Sequence, residues 1–93
     1  MPVQSASDAT RPAGWNEVRG ALQRGFRFND FREAMAFANR VAQAAEEADH
    51  HPELTISWNT VTVRWWTHVK HAITERDVEM AERTTELANV KPR

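Results

Sequence analysis

The chain has 93 residues, of which 41% are hydrophobic and 27% charged, and its formal net charge is -1. This composition is typical of one ordinary globular domain and argues against disorder of the whole chain. Without an excess of positive charge, nucleic acid is not an expected partner. The absence of cysteine excludes disulfides and Cys-based metal sites, and it fits a cytoplasmic location. No apolar run approaches the roughly 20 residues of a membrane span, so no membrane contact is expected.

The first part of the chain lacks the apolar periodicity of a docked helix. Residues 1–13 are small and polar and contain two prolines, so they predict a flexible N-terminal arm in which any helix is short or missing. A single domain is expected over residues 14–90. Residues 15–28 begin it with two short strands, because two glycines interrupt alternating apolar and polar positions.

A long amphipathic helix is expected next. Asp30 followed by Glu33 is typical of a helix start, since these side chains can form a capping box. Pro52 disfavours helical backbone at the residue before it, so the helix is expected to end near Asp49 or His50. Small and apolar residues at spacings of three and four predict the buried stripe. They are Phe31, Ala34, Ala38, Val41, Ala42, Ala45 and Ala48, with Met35 and Phe37 beside them.

The second half of the chain changes to a period of two. Residues 53–67 predict a β-hairpin with a turn at Asn59-Thr60, and Thr74 with Asp77 is typical of a second helix cap. One hairpin face carries Ile56, Trp58, Val61, Val63 and Trp65, and the other carries Thr62, Arg64, Trp66 and His68. The order β-β-α-β-β-α predicts an α+β fold, a four-stranded antiparallel sheet with helices packed on one face.

Imidazoles and carboxylates are concentrated where the long helix ends, over residues 46–53. Glu46 and His50 are four residues apart, and they would share a helical face if the last turn persists. A helix C-terminus and nearby carboxylates both favour a protonated imidazole, which a general acid requires. If this loop reaches the end of the predicted hairpin, His50 and His51 would meet His68 in one site.

Each of these features also has a plainer explanation. A His-His pair before proline is most often a polar loop, His68 and His71 can simply be solvated, and Asp77 is accounted for by its cap. A metal site with two histidines and one carboxylate is a sharper alternative. Its ligands would come from His50, His51, His68 and Glu46. The sequence contains no H-E-x-x-H, no G-x-S-x-G and no Gly-rich phosphate loop.

Taken in order, several motifs resemble the pterin-4a-carbinolamine dehydratase family. The first is Ala45-Glu46-x-x-Asp49-His50-His51-Pro52-Glu53, and the second is Thr67-His68 with Asp77 nine residues after the histidine. Gly14-Trp15 and Phe26-x-Phe28-x-Asp30-Phe31 add to the match, which spans about residues 14–88.

The resemblance implies dehydration of 4a-hydroxytetrahydrobiopterin to the quinonoid dihydropterin. This step recycles the pterin cofactor of aromatic amino acid hydroxylases, so a functional link to such a hydroxylase is implied. The resemblance also implies a homodimer or homotetramer that uses no metal and no other cofactor.

Functional roles are carried over from the family residue by residue. The resemblance implies that His50, His51, His68 and Glu46 are catalytic and that Asp49, Pro52, Trp66 and Thr67 bind the pterin. Dehydration needs a proton at the 4a-hydroxyl and removes one from N5, and imidazoles exchange protons near neutral pH. We expect His50 and His68 to be the proton-transfer pair, with His51 orienting the ring and Glu46 keeping an imidazole charged.

The sequence departs from the family pattern at three places. Leu54 stands where an aromatic residue is usual, which is expected to loosen a wall of the site. Ala72-Ile73, after His71, replaces a Gly-Leu pair and is expected to shift the pocket. The family's first helix is not recognisable in residues 1–13. These departures motivate an alternative, a non-enzymatic binding or assembly module on the same fold.

Overall fold

The computed structural model describes residues 11–89. Its strands are β1 (Asn16–Val18), β2 (Ala21–Arg27), β3 (Glu53–Ser57) and β4 (Thr60–Trp65). Helix α1 (Phe31–Ala48) lies between β2 and β3, and helix α2 (Glu75–Ala88) follows β4 after a 3₁₀ turn at His68–Lys70. The expected order of elements is therefore confirmed. Most of the predicted arm, residues 1–10, and the predicted domain end at residue 90 lie outside the described residues.

The four strands form one antiparallel sheet in the order β1-β2-β4-β3. In the central pair, Leu22 lies opposite Trp65, and Phe26 lies opposite Val61. Because side chains alternate along a strand, Val61, Val63 and Trp65 share one face, and all three are 0% exposed. Helices α1 and α2 cover this face, as the α+β prediction requires.

Helix α1 begins at the predicted cap. The Asp30 side chain accepts a hydrogen bond from the Glu33 N–H at 2.8 Å, which satisfies one of the free N–H groups of the first turn. The buried stripe is shifted from the one expected. Phe37 is 0% exposed and packs in the core, whereas Phe31 is 52% exposed.

The turn of the β3–β4 hairpin lies one residue earlier than predicted. Trp58 and Asn59 form the turn, and Ser57 pairs with Thr60. Trp58 has a positive φ of 50° and is 66% exposed, so its expected place in the apolar set is wrong. Asn59 holds the turn against the end of β2, because its Nδ2 donates to the Phe28 carbonyl at 2.9 Å.

Helix α2 joins the sheet through both apolar and polar contacts. Thr74 and Asp77 form the predicted capping box at its start. Further along, Thr84 Oγ1 accepts from the indole N–H of Trp65 at 3.0 Å, so the polar atom of this fully buried ring is satisfied. Over residues 11–89, no helix has the length and hydropathy that crossing a membrane would need.

Candidate active site

The histidine pair follows directly from the way α1 ends. Asp49 takes the left-handed conformation, with φ 52°, and its N–H donates to the Glu46 carbonyl at 3.3 Å. The next N–H, from His50, donates to the Ala45 carbonyl at 3.1 Å. These two bonds form a Schellman motif, which stops a helix and turns the chain away from its axis. As a result, His50 is 6% exposed while the side chain of His51 is 54% exposed.

His50 is held in the protein interior by a carboxylate and an aromatic ring. Its Nε2 lies 2.6 Å from Asp77 Oδ1, and its ring stacks on Trp65 with centroids 5.6 Å apart and an interplanar angle of 15°. Asp77 is 0% exposed, and its other oxygen accepts from Thr67 Oγ1 and the Thr74 N–H, both at 2.8 Å. Buried carboxylates require such partners, so this network fixes the orientation of the imidazole.

The contact with Asp77 decides which atom of His50 is available for chemistry. A carboxylate accepts hydrogen bonds, so Nε2 of His50 carries a proton whether the ring is neutral or charged. Nδ1 of His50 has no hydrogen-bond partner among residues 11–89. Nδ1 is therefore the ring atom that can exchange a proton with a bound molecule.

The second imidazole is paired on the protein surface. His51 Nε2 lies 2.6 Å from Glu46 Oε2, and the two side chains are 54% and 77% exposed. The condition under which Glu46 and His50 would share a helical face is not met, because the helix stops at Ala48 and the left-handed Asp49 redirects the chain. Glu46 instead holds the ring that points to solvent.

The third imidazole lies just beyond the central strand. β4 ends at Trp65, so His68 begins a 3₁₀ turn rather than ending a strand as expected. The turn is closed at its base, where the Thr67 N–H donates to the Ala72 carbonyl at 2.8 Å. The ring of His68 stacks on Trp66, with centroids 4.4 Å apart and an interplanar angle of 12°.

A single cavity of about 250 Å³ brings the three imidazoles together. Its lining comprises Asp49, His50, His51, Thr67, His68, Val69 and Arg76. Of the other residues expected at the site, Glu46 contacts His51 and Trp66 stacks on His68, and neither lines the cavity itself. Pro52 does not line the cavity.

Sequence reasoning missed two residues of this region. Asp77 was explained by its helix cap, yet the same carboxylate also anchors His50. Arg76 lines the cavity, and its Nη2 donates to the carbonyl groups of Ala48 at 2.9 Å and Asp49 at 3.2 Å. The sequence offered one signal for both, since they lie in the first turn of the helix that follows His68.

Two departures from the family pattern, Leu54 and Ala72-Ile73, fall in the described region. Leu54 pairs with Val63 and packs against the core, and it does not line the cavity. Leu54 is therefore not itself a wall of this cavity. Ile73 also packs against the core, while His71 is exposed and has a positive φ of 50°.

The alternative of a metal site requires several free ligand atoms in one place. The Nε2 atoms of His50 and His51 are each bonded to a carboxylate. Within the described residues, no group of three or more His, Asp or Glu side chains has an arrangement that could hold a metal ion.

Fold and cavity together define an α+β protein with a histidine-lined pocket at one end of its sheet. The family model described as pterin 4 alpha carbinolamine dehydratase matches residues 2–87. The chain therefore belongs to the pterin-4-alpha-carbinolamine dehydratase family, which is a family of hydro-lyases.

Bacterial relatives match most of the chain. A protein from Thermomicrobium roseum, provisionally named a pterin-4-alpha-carbinolamine dehydratase, is 51% identical over 76 residues, which cover 82% of this chain and 82% of the relative. A protein of the same provisional name from Thermosynechococcus vestitus is 46% identical over 89 residues, covering 96% of this chain and 94% of the relative.

Solved structures share the fold. The transcriptional coactivator/pterin dehydratase from Brucella melitensis has a TM-score of 0.79 and 39% identity, covering 83% of this chain and 84% of that chain. A pterin dehydratase-like protein described as a RuBisCO assembly factor in the alpha-carboxysome has a TM-score of 0.67, with coverage of 83% and 89%. Its identity to this chain is 20%, so the likeness concerns the fold alone.

Proposed function

We propose that this chain dehydrates 4a-hydroxytetrahydrobiopterin to the quinonoid dihydropterin by acid–base catalysis with histidine. The observation that carries the proposal is the cavity of about 250 Å³ lined by His50, His51 and His68. Membership of a dehydratase family supports the reaction type. Proton transfer by positioned imidazoles supplies the chemistry that loss of water requires.

The reaction breaks the C4a–O bond and forms a C4a=N5 double bond. One proton is added to the departing hydroxyl group, which leaves as water, and one proton is lost from N5. His50 takes part through Nδ1, because Asp77 holds its Nε2. His68 is the second member of the proton-transfer pair.

The remaining residues bind and orient the pterin in this proposal. His51, whose Nε2 lies 2.6 Å from Glu46 Oε2, orients the ring. Asp49 and Thr67 line the cavity and are placed to contact the ligand. Pro52 and Trp66 are proposed to bind the pterin at the edges of the cavity, on the strength of the family resemblance.

The proposal is tested by measuring the loss of synthetic 4a-hydroxytetrahydropterin with purified protein. His50→Gln and His68→Gln are each expected to lower kcat about 100-fold, the usual range for losing one acid–base group. His51→Gln is also expected to lower the rate, because it removes a residue that orients the ring. His71→Gln is the matched control, because this exposed histidine does not line the cavity. If the three cavity variants all keep the wild-type rate, the site assignment is wrong.

The alternative function is a non-enzymatic binding or assembly module on the same fold. Ala72-Ile73, which departs from the family pattern, lies in the loop beside His68 and is the feature that favours it. The two proposals differ in one measurement, since the alternative expects no turnover by the isolated wild-type chain. If the isolated wild-type chain turns over the pterin at a normal rate, the non-enzymatic alternative is not needed.

We further propose that the chain acts in the cytoplasm as a homodimer or homotetramer and serves an aromatic amino acid hydroxylase. Family membership supports this proposal. Light scattering during size-exclusion chromatography measures the mass of the assembly, and a mass of one 10.7 kDa chain would contradict the oligomer.

A further inference from the structure

The three cavity imidazoles are held in different ways. Carboxylates bond His50 and His51 through Nε2. The ring nitrogens of His68, by contrast, have no hydrogen-bond partner among residues 11–89, and the side chain is exposed at the start of a short turn. The contact that the structure gives this ring is its stack on Trp66, at 4.4 Å between centroids. The orientation of His68 therefore depends on the position of that indole.

The indole of Trp66, which directly follows β4, also contacts a residue of that strand. The guanidinium carbon of Arg64 lies 5.7 Å from the centroid of the Trp66 ring, within the range of a cation–π contact. Arg64 lies two residues before Trp66 and His68 lies two residues after it, so the indole has a contact on each side along the chain.

Arg64 is fixed by the two strands beside its own. Its Nη1 donates to Gln23 Oε1 on β2 at 2.8 Å, and its Nε lies 3.1 Å from Glu53 Oε1 on β3. The contact with Glu53 is an ion pair without the alignment of a hydrogen bond. Only 11% of the Arg64 side chain is exposed, although it lies on the sheet face that the helices do not cover. Such shielding indicates a guanidinium with one defined position.

We propose that Trp66 and Arg64 are positioning residues for His68, an inference that rests on the proposed function. Trp66 acts by holding the imidazole at the cavity, and Arg64 acts by holding the indole. Without them, a surface imidazole would lose its fixed orientation, and a displaced catalytic group loses rate. This role is additional to the proposed contact of Trp66 with the pterin, and an effect on kcat distinguishes it, since a contact that only binds substrate would raise KM alone.

The test combines NMR with kinetics on four variants of the full chain. Trp66→Leu removes the aromatic face, Trp66→Phe keeps part of it, and Arg64→Gln removes the cation. Trp58→Leu is the matched control at an exposed tryptophan of the hairpin tip. The ring C–H signals are followed by carbon–proton NMR, and the signal of His68 is the one that disappears in His68→Gln.

The proposal expects the His68 signal to carry the upfield shift of a proton above an indole. Trp66→Leu and Arg64→Gln should move this signal downfield, and Trp58→Leu should not. Trp66→Leu should lower kcat about tenfold, and Trp66→Phe should restore most of the rate. Should Trp66→Leu not fold, Arg64→Gln and Trp66→Phe still decide whether the His68 signal follows the indole.

Two results overturn the proposal. One is a His68 signal that does not move in Trp66→Leu and Arg64→Gln. The other is an unchanged kcat in Trp66→Leu, which would show that the indole does not act through His68. If the wild-type chain has no turnover, the proposed function fails while the NMR comparison still decides whether Trp66 and Arg64 hold His68.

Discussion

Replacing Asp77 with asparagine tests whether the buried carboxylate orients His50. The carboxylate accepts hydrogen bonds through Oδ1 from His50 Nε2, and through Oδ2 from Thr67 Oγ1 and the Thr74 N–H. An asparagine has almost the same shape, but it has only one oxygen, and its NH₂ group donates. If the amide oxygen keeps the bonds on the Thr74 side, the NH₂ group faces His50. The imidazole must then release the proton from Nε2 and carry it on Nδ1.

The size of the effect on stability follows from burial. Asp77 is 0% exposed and His50 is 6% exposed, so solvent cannot replace the lost interaction. A hydrogen bond to a charged group contributes about 1.5–3 kcal/mol. We therefore expect Asp77→Asn to lower the free energy of unfolding by about 2 kcal/mol. For a domain of this size, that corresponds to a decrease in Tm of about 10 °C.

The effect on turnover follows from the change of tautomer. His50 lines the cavity and Asp77 occupies its Nε2, so Nδ1 is the atom left for proton transfer, and a wrong tautomer reverses its role. We expect kcat for synthetic 4a-hydroxytetrahydropterin to fall about 100-fold at a temperature where the variant is fully folded. KM should change little, because Asp77 does not line the cavity.

The matched control is the same substitution at the other helix cap. Asp30 caps α1 and bonds the Glu33 N–H at 2.8 Å, and asparagine is as good a cap as aspartate. Asp30→Asn should keep the wild-type kcat and change Tm by only about 1–2 °C. A folded Asp77→Asn variant with kcat within about twofold of the wild type would refute the reasoning, since a tautomer with reversed roles must slow proton transfer.

Three further outcomes are expected. Arg76→Gln should lower Tm by about 4 °C and raise KM, because Arg76 lines the cavity and donates to the carbonyl groups of Ala48 and Asp49 at the end of α1. The control Arg83→Gln alters an exposed ion pair on α2 and should change neither Tm nor KM. Glu46→Gln should leave Tm within about 1 °C of the wild type, since the pair of Glu46 with His51 is exposed, but turnover should fall severalfold. Glu47→Gln is the control, and equal turnover in the two variants would contradict the role of Glu46. Dialysis against a chelator should not change the rate, and a loss that zinc or iron restores would revive the metal hypothesis.

The fold could be predicted well because its causes are local. Alternating apolar residues predicted β4, and all of its inward side chains are buried. Pro52 predicted where α1 ends, since a proline restricts the residue before it whatever the rest of the protein does. The errors are local too. Trp58 is apolar and fits the alternation, but the hairpin closes through Trp58 and Asn59, and this places the tryptophan in the turn.

The site could be predicted only in part, because its contacts cross long stretches of sequence. The motifs indicated His50, His51 and His68, and the structure places them around one cavity. The partner of His50 was missed, since Asp77 is 27 residues away and its helix cap already explained it. The sequence also left open which imidazole Glu46 contacts, because a single left-handed residue, Asp49, decides which histidine turns inward. Spacing along a chain cannot reveal such a turn.

The buried pair of His50 and Asp77 argues for function more strongly than the fold does. The same fold is shared with an assembly factor at 20% identity, so architecture alone does not separate an enzyme from a binding module. Breaking a buried imidazole–carboxylate pair is costly, but the intact pair gives a core no more stability than apolar side chains of similar volume often would. A domain of 93 residues has a small core. The polar pair of His50 and Asp77 beside Trp65 lowers the apolar content of that core. What the pair does provide is one fixed imidazole with a free Nδ1 at the cavity, and proton transfer requires that arrangement, whereas an assembly surface does not.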